Sequence, residues 1–562
     1  MYALVGEYNV PCMRRFAALL FCFSPVALLP QQPITIHVDA SQKIGAFKPS
    51  WAYFGYDEPN YTYAKDGTKL IKELAGLSRT PVRIRTHNLL TTGNGTPGLK
   101  FGSTNAYTED SSGKPVYDWT IVDRIIETYL QAGAKPLVEI GFMPKALSSK
   151  PEPYTPNFRT PADFKNYYLG WSYPPKDYEK WGELVYQWVK HSVQKYGTEE
   201  VQSWNWEVWN EPDISYWHGS PEEYDKLYDY SAAAVRRALP TARIGGPGST
   251  SPRNPKAAEF LRQFLQHCLD HKTPLDFISS HAKGSPDMNG DHVRMGLAKQ
   301  LQDVSTGFQI VRSFDKFRDL PIILTESDPE GCAACSSQIN PANAYRNGPL
   351  YPTYVAIAMN SMLQLADRDH MNLQGILTWA FEFEDKPYFA GYRDLATNGI
   401  DKPVLNVFRM AGLMNGDRVT VSSDGAQNLD TLLTEGARRK PVIDALATRS
   451  EHNISIMVWN YQDDDVSGPA ATVNLNFAGL PTGTKRVLLH HYRIDNTHSN
   501  AYTAWKQMGS PEQPSPDDYA KLEAAGQLQL LESPRWIRSE AGAANLRFTL
   551  PLQGISLIQV SW

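Results

Sequence analysis

From about residue 47 to 415 the chain alternates short apolar runs with longer stretches whose apolar positions recur every three or four residues. Short apolar runs suit buried parallel strands, and the longer period suits amphipathic helices packed on them, so the alternation predicts βα units. The strand-like runs fall at 51–55, 82–86, 136–142, 203–209, 243–246, 277–281, 322–325 and 375–381. Helical patterns lie between them, for example at 119–132, 178–196, 221–239, 257–271 and 351–366. Eight such units predict an α/β fold, a (β/α)8 TIM barrel. A doubly wound open sheet is the alternative, but no GxGxxG or Walker loop follows an early strand. Beyond residue 420 the texture changes to short alternating strands at 454–461, 472–477, 486–492, 546–551 and 555–562. That pattern predicts a C-terminal β-sandwich accessory domain. A strand-like segment at 34–39 is expected to pair with it, and a polar insertion with short helices is expected between 500 and 531. The predicted organisation is a leader at 1–30, an N-terminal strand at 31–45, a (β/α)8 barrel at 46–420 and a β-sandwich at 421–562.

The leader is read from Arg14-Arg15 followed by an apolar run from 16 to 29, too short for a membrane span and suited to a secretory h-region. No clean small-x-small cleavage site precedes Gln31. The expectation is a secreted or periplasmic protein, free of the membrane once the leader is removed. A formal net charge of −5 over 562 residues, with no Lys/Arg-rich tail, argues against a nucleic-acid partner. Of the five cysteines, Cys12 and Cys22 fall in the leader and Cys268 stands alone. Cys332-Ala-Ala-Cys335 could be a redox motif, a metal half-site or a small-loop disulfide. In an oxidising compartment the disulfide is favoured, and no second CxxC or His pair completes a zinc site. No metal or cofactor is expected.

Candidate chemistry sits at the ends of the predicted strands. The run Trp204-Asn205-Trp206-Glu207-Val208-Trp209-Asn210-Glu211-Pro212-Asp213 begins as a strand and stops at a proline, which pushes Glu211 away from helix. Crowding by three tryptophans makes Glu211 a candidate for a raised pKa and a general-acid role. In a parallel barrel, groups at C-terminal strand ends converge on one pocket. Strand 2 would bring His87, strand 4 Asn210 and Glu211, strand 6 His281 and Lys283, strand 7 Glu326, and strand 8 Trp379 followed by Glu382 and Glu384. Paired carboxylates across a pocket are what glycoside hydrolysis needs, one to protonate the leaving oxygen and one to attack the anomeric carbon. Trp379 is placed to floor a sugar subsite, because sugar rings have apolar faces that stack on indole.

These segments together resemble glycoside hydrolase family 39, a clan A family of β-xylosidases and α-L-iduronidases. The resemblance rests on VRIRTHNLL around His87, WNWEVWNEPD around Glu211, DFISSHAKG around His281 and PIILTESDPEG around Glu326. The late segment from His498 to Trp505, followed by Met508-Gly509-Ser510-Pro511, also resembles the family's C-terminal region. The resemblance implies retaining double displacement, with Glu211 as acid/base and Glu326 as nucleophile. It implies that Asn210 contacts the sugar 2-hydroxyl, and that His87 and His281 bind the glycone or orient the nucleophile.

The substrate is expected to be an oligosaccharide. His281-x-Lys283-Gly284 and Glu326-x-Asp328-Pro329 look iduronidase-like, with Lys283 facing a uronate carboxylate. No arginine matching the second half of a carboxylate clamp is found in the corresponding region, Leu395 to Ile400. A lone lysine is a less directional anion site than a lysine–arginine pair, and the neighbouring Glu384 and Asp385 would repel a further negative charge. The expectation is therefore exo-hydrolysis of terminal β-D-xylosyl residues from xylo-oligosaccharides. An α-L-iduronidase-like or arabinose-releasing hydrolase is the alternative, and a non-catalytic carbohydrate-binding protein the outside one.

Overall fold

The first strand, β1 (Ile34–Ala46), belongs to a sheet completed only at the other end of the chain. Eight longer strands follow, with short two- and three-residue strands in the loops between them: β2 (Tyr53–Tyr56), β3 (Arg83–Thr86), β4 (Lys135–Ile140), β5 (Asn205–Val208), β6 (Arg243–Ser249), β7 (Phe277–Lys283), β8 (Ile322–Asp328) and β9 (Leu373–Trp379). In the computed structural model, which describes residues 32–158, 169–329, 332 and 334–562, these eight parallel strands close into a barrel in chain order. The leader expected at 1–30, with Cys12 and Cys22, lies outside the described residues.

The principal barrel helices are α1 (Lys65–Gly76), α2 (Thr120–Ala132), α3 (Tyr178–Tyr196), α4 (Pro221–Ala238), α5 (Pro255–His271), α6 (Leu297–Arg312), α7 (Leu350–Asp369) and α8 (Pro403–Leu413). Local chemistry sets their ends. Ser220 and Glu223 form a reciprocal capping box at the start of α4, Pro221 occupies its first turn, and Arg236 and Arg237 face the negative end of its dipole. Inside the barrel Tyr53, Leu137, Phe277, Ile323, Leu377 and Trp379 pack into one apolar plug, which supports the polar groups at the strand ends from below.

Strands β7 and β8 outrun their predicted ends at 281 and 325, because the ladder continues through polar residues. His281 pairs with Glu326, Ala282 with Ser327 and Lys283 with Asp328. Backbone hydrogen bonds do not depend on side-chain polarity, whereas an apolar-run reading does.

The last part of the chain forms β10 (Asp417–Ser423), β11 (Val442–Arg449), β12 (Asn453–Tyr461), β13 (Ala471–Ala478), β14 (Arg486–Ile494), β15 (Gln529–Leu530), β16 (Arg535–Arg538), β17 (Ala543–Leu550) and β18 (Gly554–Ser561). They join β1 in one ten-stranded sheet of order β15-β14-β18-β12-β11-β10-β1-β13-β17, with β16 on β14. β1 runs antiparallel to β10 and parallel to β13. The sequence predicts two packed sheets here; the structure joins all ten strands by hydrogen bonds, since β1 bridges what would be separate halves. Two short helices, α9 (Ala501–Gln507) and α10 (Pro516–Gly526), interrupt this sheet between β14 and β15. No helix among the described residues is long and apolar enough to cross a membrane.

Candidate active site

Strand β5 leaves its ladder at Val208, and the backbone then takes left-handed conformations at Trp209 (φ 69°) and Glu211 (φ 46°). Such residues cost on the order of 1–3 kcal/mol each and persist only where surrounding structure fixes them. Here Trp209 N–H donates to Ile140 O at 3.2 Å, and Glu211 N–H to Gly248 O at 2.9 Å. Gly248 has φ 59°, and a Cβ there would stand 3.0 Å from Glu207 Oε1. Pro212 does exclude Glu211 from the right-handed helical region, but the tertiary hydrogen bond selects positive φ rather than the extended form.

The expected crowding of Glu211 by tryptophans is corrected. Trp204 packs on Tyr196, Trp206 on Trp188, and Trp209 among Phe142, Trp181 and Trp217. None of the three lines the cavity that Glu211 faces. Its neighbour is instead His281, fully buried, whose Nδ1 shares a 2.9 Å hydrogen bond with Glu211 Oε1.

The register of β7 and β8 sets the opposite wall. Alternate residues point to one side of a strand, so His281 and Lys283 on β7 face inward beside Glu326 and Asp328 on β8. Lys283 Nζ donates to Glu326 Oε2 at 2.8 Å and also to Asp328. Arg85, buried on β3, donates to Glu207 Oε2 at 2.5 Å, to Asn210 Oδ1 at 3.0 Å and to Glu326 Oε1 at 3.4 Å. His87, two residues further on, places Nδ1 2.9 Å from Asp57 Oδ1 and Nε2 3.4 Å from Glu326 Oε1.

This arrangement sets the protonation states. Burial opposes ionisation of Glu326, but His281, Lys283 and His87 outweigh it and hold its carboxyl well below the usual range. Burial alone would lower His87, yet Glu139, Asp57 and Glu326 push it up to about 9, so it is cationic at neutral pH. Glu139, in the layer beneath, is pushed up to about 7, chiefly by burial. The Asp57 carboxyl is held below its ordinary value by Lys100, His87 and Arg393, against burial.

Because Arg85 fixes Oδ1 of Asn210, the amide Nδ2 points the other way, and it is buried without a hydrogen-bond partner. A buried donor without an acceptor is costly, and an incoming hydroxyl would satisfy it.

His87, Asn210, Glu211, Lys283, Glu326 and Trp379 line one cavity of about 250 Å³. His281 supports it from behind. Glu384 does not belong to it: its Oε1 accepts from Asp66 N–H at 2.7 Å in the first turn of α1, where a carboxylate meets the positive end of the helix dipole. It lines a different cavity, with Asp385.

Sequence reasoning missed Asp57, Lys100, Tyr216 and Arg393, which also line the cavity of Glu211 and Glu326. Arg393 is buried and donates to Asp328 Oδ2 at 3.0 Å. It lies in a loop without periodic pattern, two residues before the stretch searched for an arginine, so spacing carried no signal for it. The cavity therefore has an arginine beside Lys283 after all, and the repulsion expected from Glu384 and Asp385 acts elsewhere.

Glu211, His281 and Glu326 each bring a donor atom within 4.8 Å of the other two, as three ligands of one cation would. Lys283 and Arg85 already supply positive charge to Glu326 at contact distance, which disfavours an added cation. Cys332 and Cys335 form a disulfide.

The chain is similar to known proteins in sequence and in fold. A β-xylosidase of Geobacillus stearothermophilus is 28% identical over 465 residues, 80% of this chain and 82% of that protein. An α-L-iduronidase of Mus musculus is 24% identical across 97% of this chain and 83% of its own. Among solved structures, the fold matches a monomeric β-xylosidase from Caulobacter crescentus CB15 with a TM-score of 0.73 at 20% identity, covering 94% of this chain and 99% of that one. The sequence profile of the Glycosyl hydrolases family 39 matches residues 34–541. The chain belongs to glycosyl hydrolase family 39, and is a glycoside hydrolase built on a (β/α)8 barrel.

Proposed function

We propose that the protein is a retaining exo-glycosidase that removes terminal β-D-xylosyl residues from xylo-oligosaccharides. The observation that carries this reading is the carboxylate pair: an oxygen of Glu211 lies within 4.8 Å of one of Glu326, across a cavity of about 250 Å³. Retaining enzymes hold the pair about 5–5.5 Å apart, whereas inverting ones leave about 6.5–9.5 Å for a water. Glu326, kept ionised by its cationic neighbours, attacks the anomeric carbon and forms the glycosyl-enzyme. Glu211 protonates the leaving oxygen, then takes the proton of the water that releases the sugar. Asn210 Nδ2 donates to the 2-hydroxyl, and Trp379, held over by the Arg85 guanidinium at 5.1 Å, floors the ring. Relatives named β-xylosidase, at 25–28% identity, support xylose as the glycone.

Arg393 favours a second reading, a uronide. Its guanidinium and the Lys283 ammonium both contact Asp328, so a substrate carboxylate would compete with a buried aspartate for them. That competition supports the neutral pentoside over the uronide. Purified protein assayed on aryl β-D-xyloside, α-L-arabinoside and α-L-iduronide ranks the readings; the xyloside is expected to be cleaved fastest, and hydrolysis of the iduronide alone would overturn it.

Two variants probe the assigned roles. Asn210→Ala should lower kcat on the aryl xyloside about 10- to 100-fold, about 1.4–2.7 kcal/mol of transition-state stabilisation, with a smaller change in KM. Lys283→Met removes a positive charge that favours the ionised Glu326. The Glu326 pKa therefore rises, and the acid limb of the kcat/KM profile should move up by about one pH unit or more. An unmoved acid limb would separate Lys283 from the nucleophile.

The same reading makes residues 421–562, with the strand at 31–45, an accessory β-sandwich beside the barrel at 46–420. One apolar cluster supports it, since strands from opposite ends of the sheet order, through Phe477 and Leu546 on one side and Leu489 and Val560 on the other, share a core. Export through the leader at 1–30 is proposed with it, supported by the disulfide.

A further inference from the structure

Building on the glycosidase reading, we infer that a second cavity at the C-terminal end of the barrel binds the glycan chain that carries the scissile bond, and that this chain is a neutral oligosaccharide. The cavity measures about 1040 Å³, against about 250 Å³ for the catalytic one. Its walls come from segments that follow β2, β8 and β9, and from the α9–α10 insertion. The two cavities share a wall: Tyr392 lines the large one, and the adjacent Arg393 lines the catalytic one.

The lining chemistry fits sugar. Tyr388, Tyr392, Trp505 and Tyr519 offer aromatic rings to the apolar faces of pyranoses. Asp66, Glu384, Asp385 and Glu512 offer acceptors to hydroxyls, with only Lys65 and Lys386 as lining cations. Two more carboxylates than ammonium groups would repel a polyanionic glycan and leave a neutral one unpenalised.

The walls are fixed in advance, which lowers the ordering cost of binding. Buried Arg346 donates to Cys332 O at 2.7 Å and to Cys335 O and Gly391 O at 3.0 Å, tying the disulfide loop to the shared wall. Ser337 N–H donates to Ala390 O at 2.9 Å, and Asn347 Nδ2 to Phe389 O at 2.7 Å. The insertion docks through a cluster of Phe389, Ile400, Ala501 and Leu522, and Tyr519 Oη donates to Asn398 O at 3.2 Å. In this account the disulfide and the insertion serve chain binding.

The test compares Trp505→Ala and Tyr388→Ala with the unchanged protein on xylotetraose and on an aryl β-xyloside. Thermal melts show whether each variant is folded. The ratio of kcat/KM for xylotetraose to that for the aryl xyloside should fall at least about fivefold in either folded variant; an unchanged ratio in both overturns the inference. Failure of the xylosidase reading shows separately, as no hydrolysis of the aryl xyloside by the unchanged protein. The cavity is then tested by titrating xylotetraose into the Glu326→Gln protein with and without each substitution. A Kd weakened at least about fivefold supports the site, and an unaffected Kd, or no binding to Glu326→Gln itself, overturns it.

Discussion

Glu326→Ala is expected to reduce kcat on an aryl β-xyloside by about 10⁴-fold or more while leaving the fold intact, because in the proposed mechanism it removes the attacking atom. The side chain is nearly buried, and Arg85, His87 and Lys283 all contact its carboxylate. The alanine variant leaves three cationic groups around the space of one small anion. Azide should therefore restore turnover and give the α-xylosyl azide, since it attacks from the nucleophile's side of the ring. Turnover within tenfold of the unchanged protein would remove Glu326 from the nucleophile role. Rescue that gives only the β-azide would assign Glu326 to proton transfer instead.

Glu211→Ala is the second large effect, and its size should depend on the leaving group. Positioned proton transfer contributes about 10²–10⁴-fold. Xylobiose, whose leaving sugar needs a proton, should lose that full factor, while the glycosylation step on a dinitrophenyl xyloside should lose far less. The basic limb of the pH profile should also flatten, and azide should now yield the β-xylosyl azide, formed by attack on the glycosyl-enzyme. Equal losses on both substrates would argue against Glu211 as the acid. His281, 2.9 Å from Glu211 and facing Glu326 at 3.8 Å, touches both carboxylates, so its loss would disturb both steps.

The barrel was legible because its strands are apolar and its helices amphipathic, and periodicity reports both. Residues at strand ends were legible for the same reason: once eight strands are placed, the groups that follow them must converge. Lys283 and Asp328 were harder, since they lie in strand ladders that continue through polar residues. Glu384 was misplaced by that logic, because it stands five residues beyond β9, far enough for the chain to turn outward and for its carboxylate to reach the first turn of α1. Lys100 and Arg393 were invisible because a two-residue strand and a loop carry no period, and their place at the cavity comes only from where those segments return. The tryptophans near Glu211 in sequence misled in the opposite sense: Trp204 and Trp206, two residues apart, point to one side and pack on each other, and Trp209 packs on Trp181 and Trp217, away from the cavity. The left-handed backbone at Glu211 had no sequence signal beyond Pro212, since a hydrogen bond to distant Gly248 selects it.

The assignment of Glu211 and Glu326 as a retaining pair is the centre of this account, and the stereochemistry of the first product tests it most directly. Proton NMR during the first turnovers of an aryl β-D-xyloside, before the released sugar equilibrates, reads the anomer formed. Double displacement predicts that β-xylose appears first and α-xylose grows in later. α-Xylose as the first product would mean a single displacement by water and would contradict the assignment of Glu326 as nucleophile.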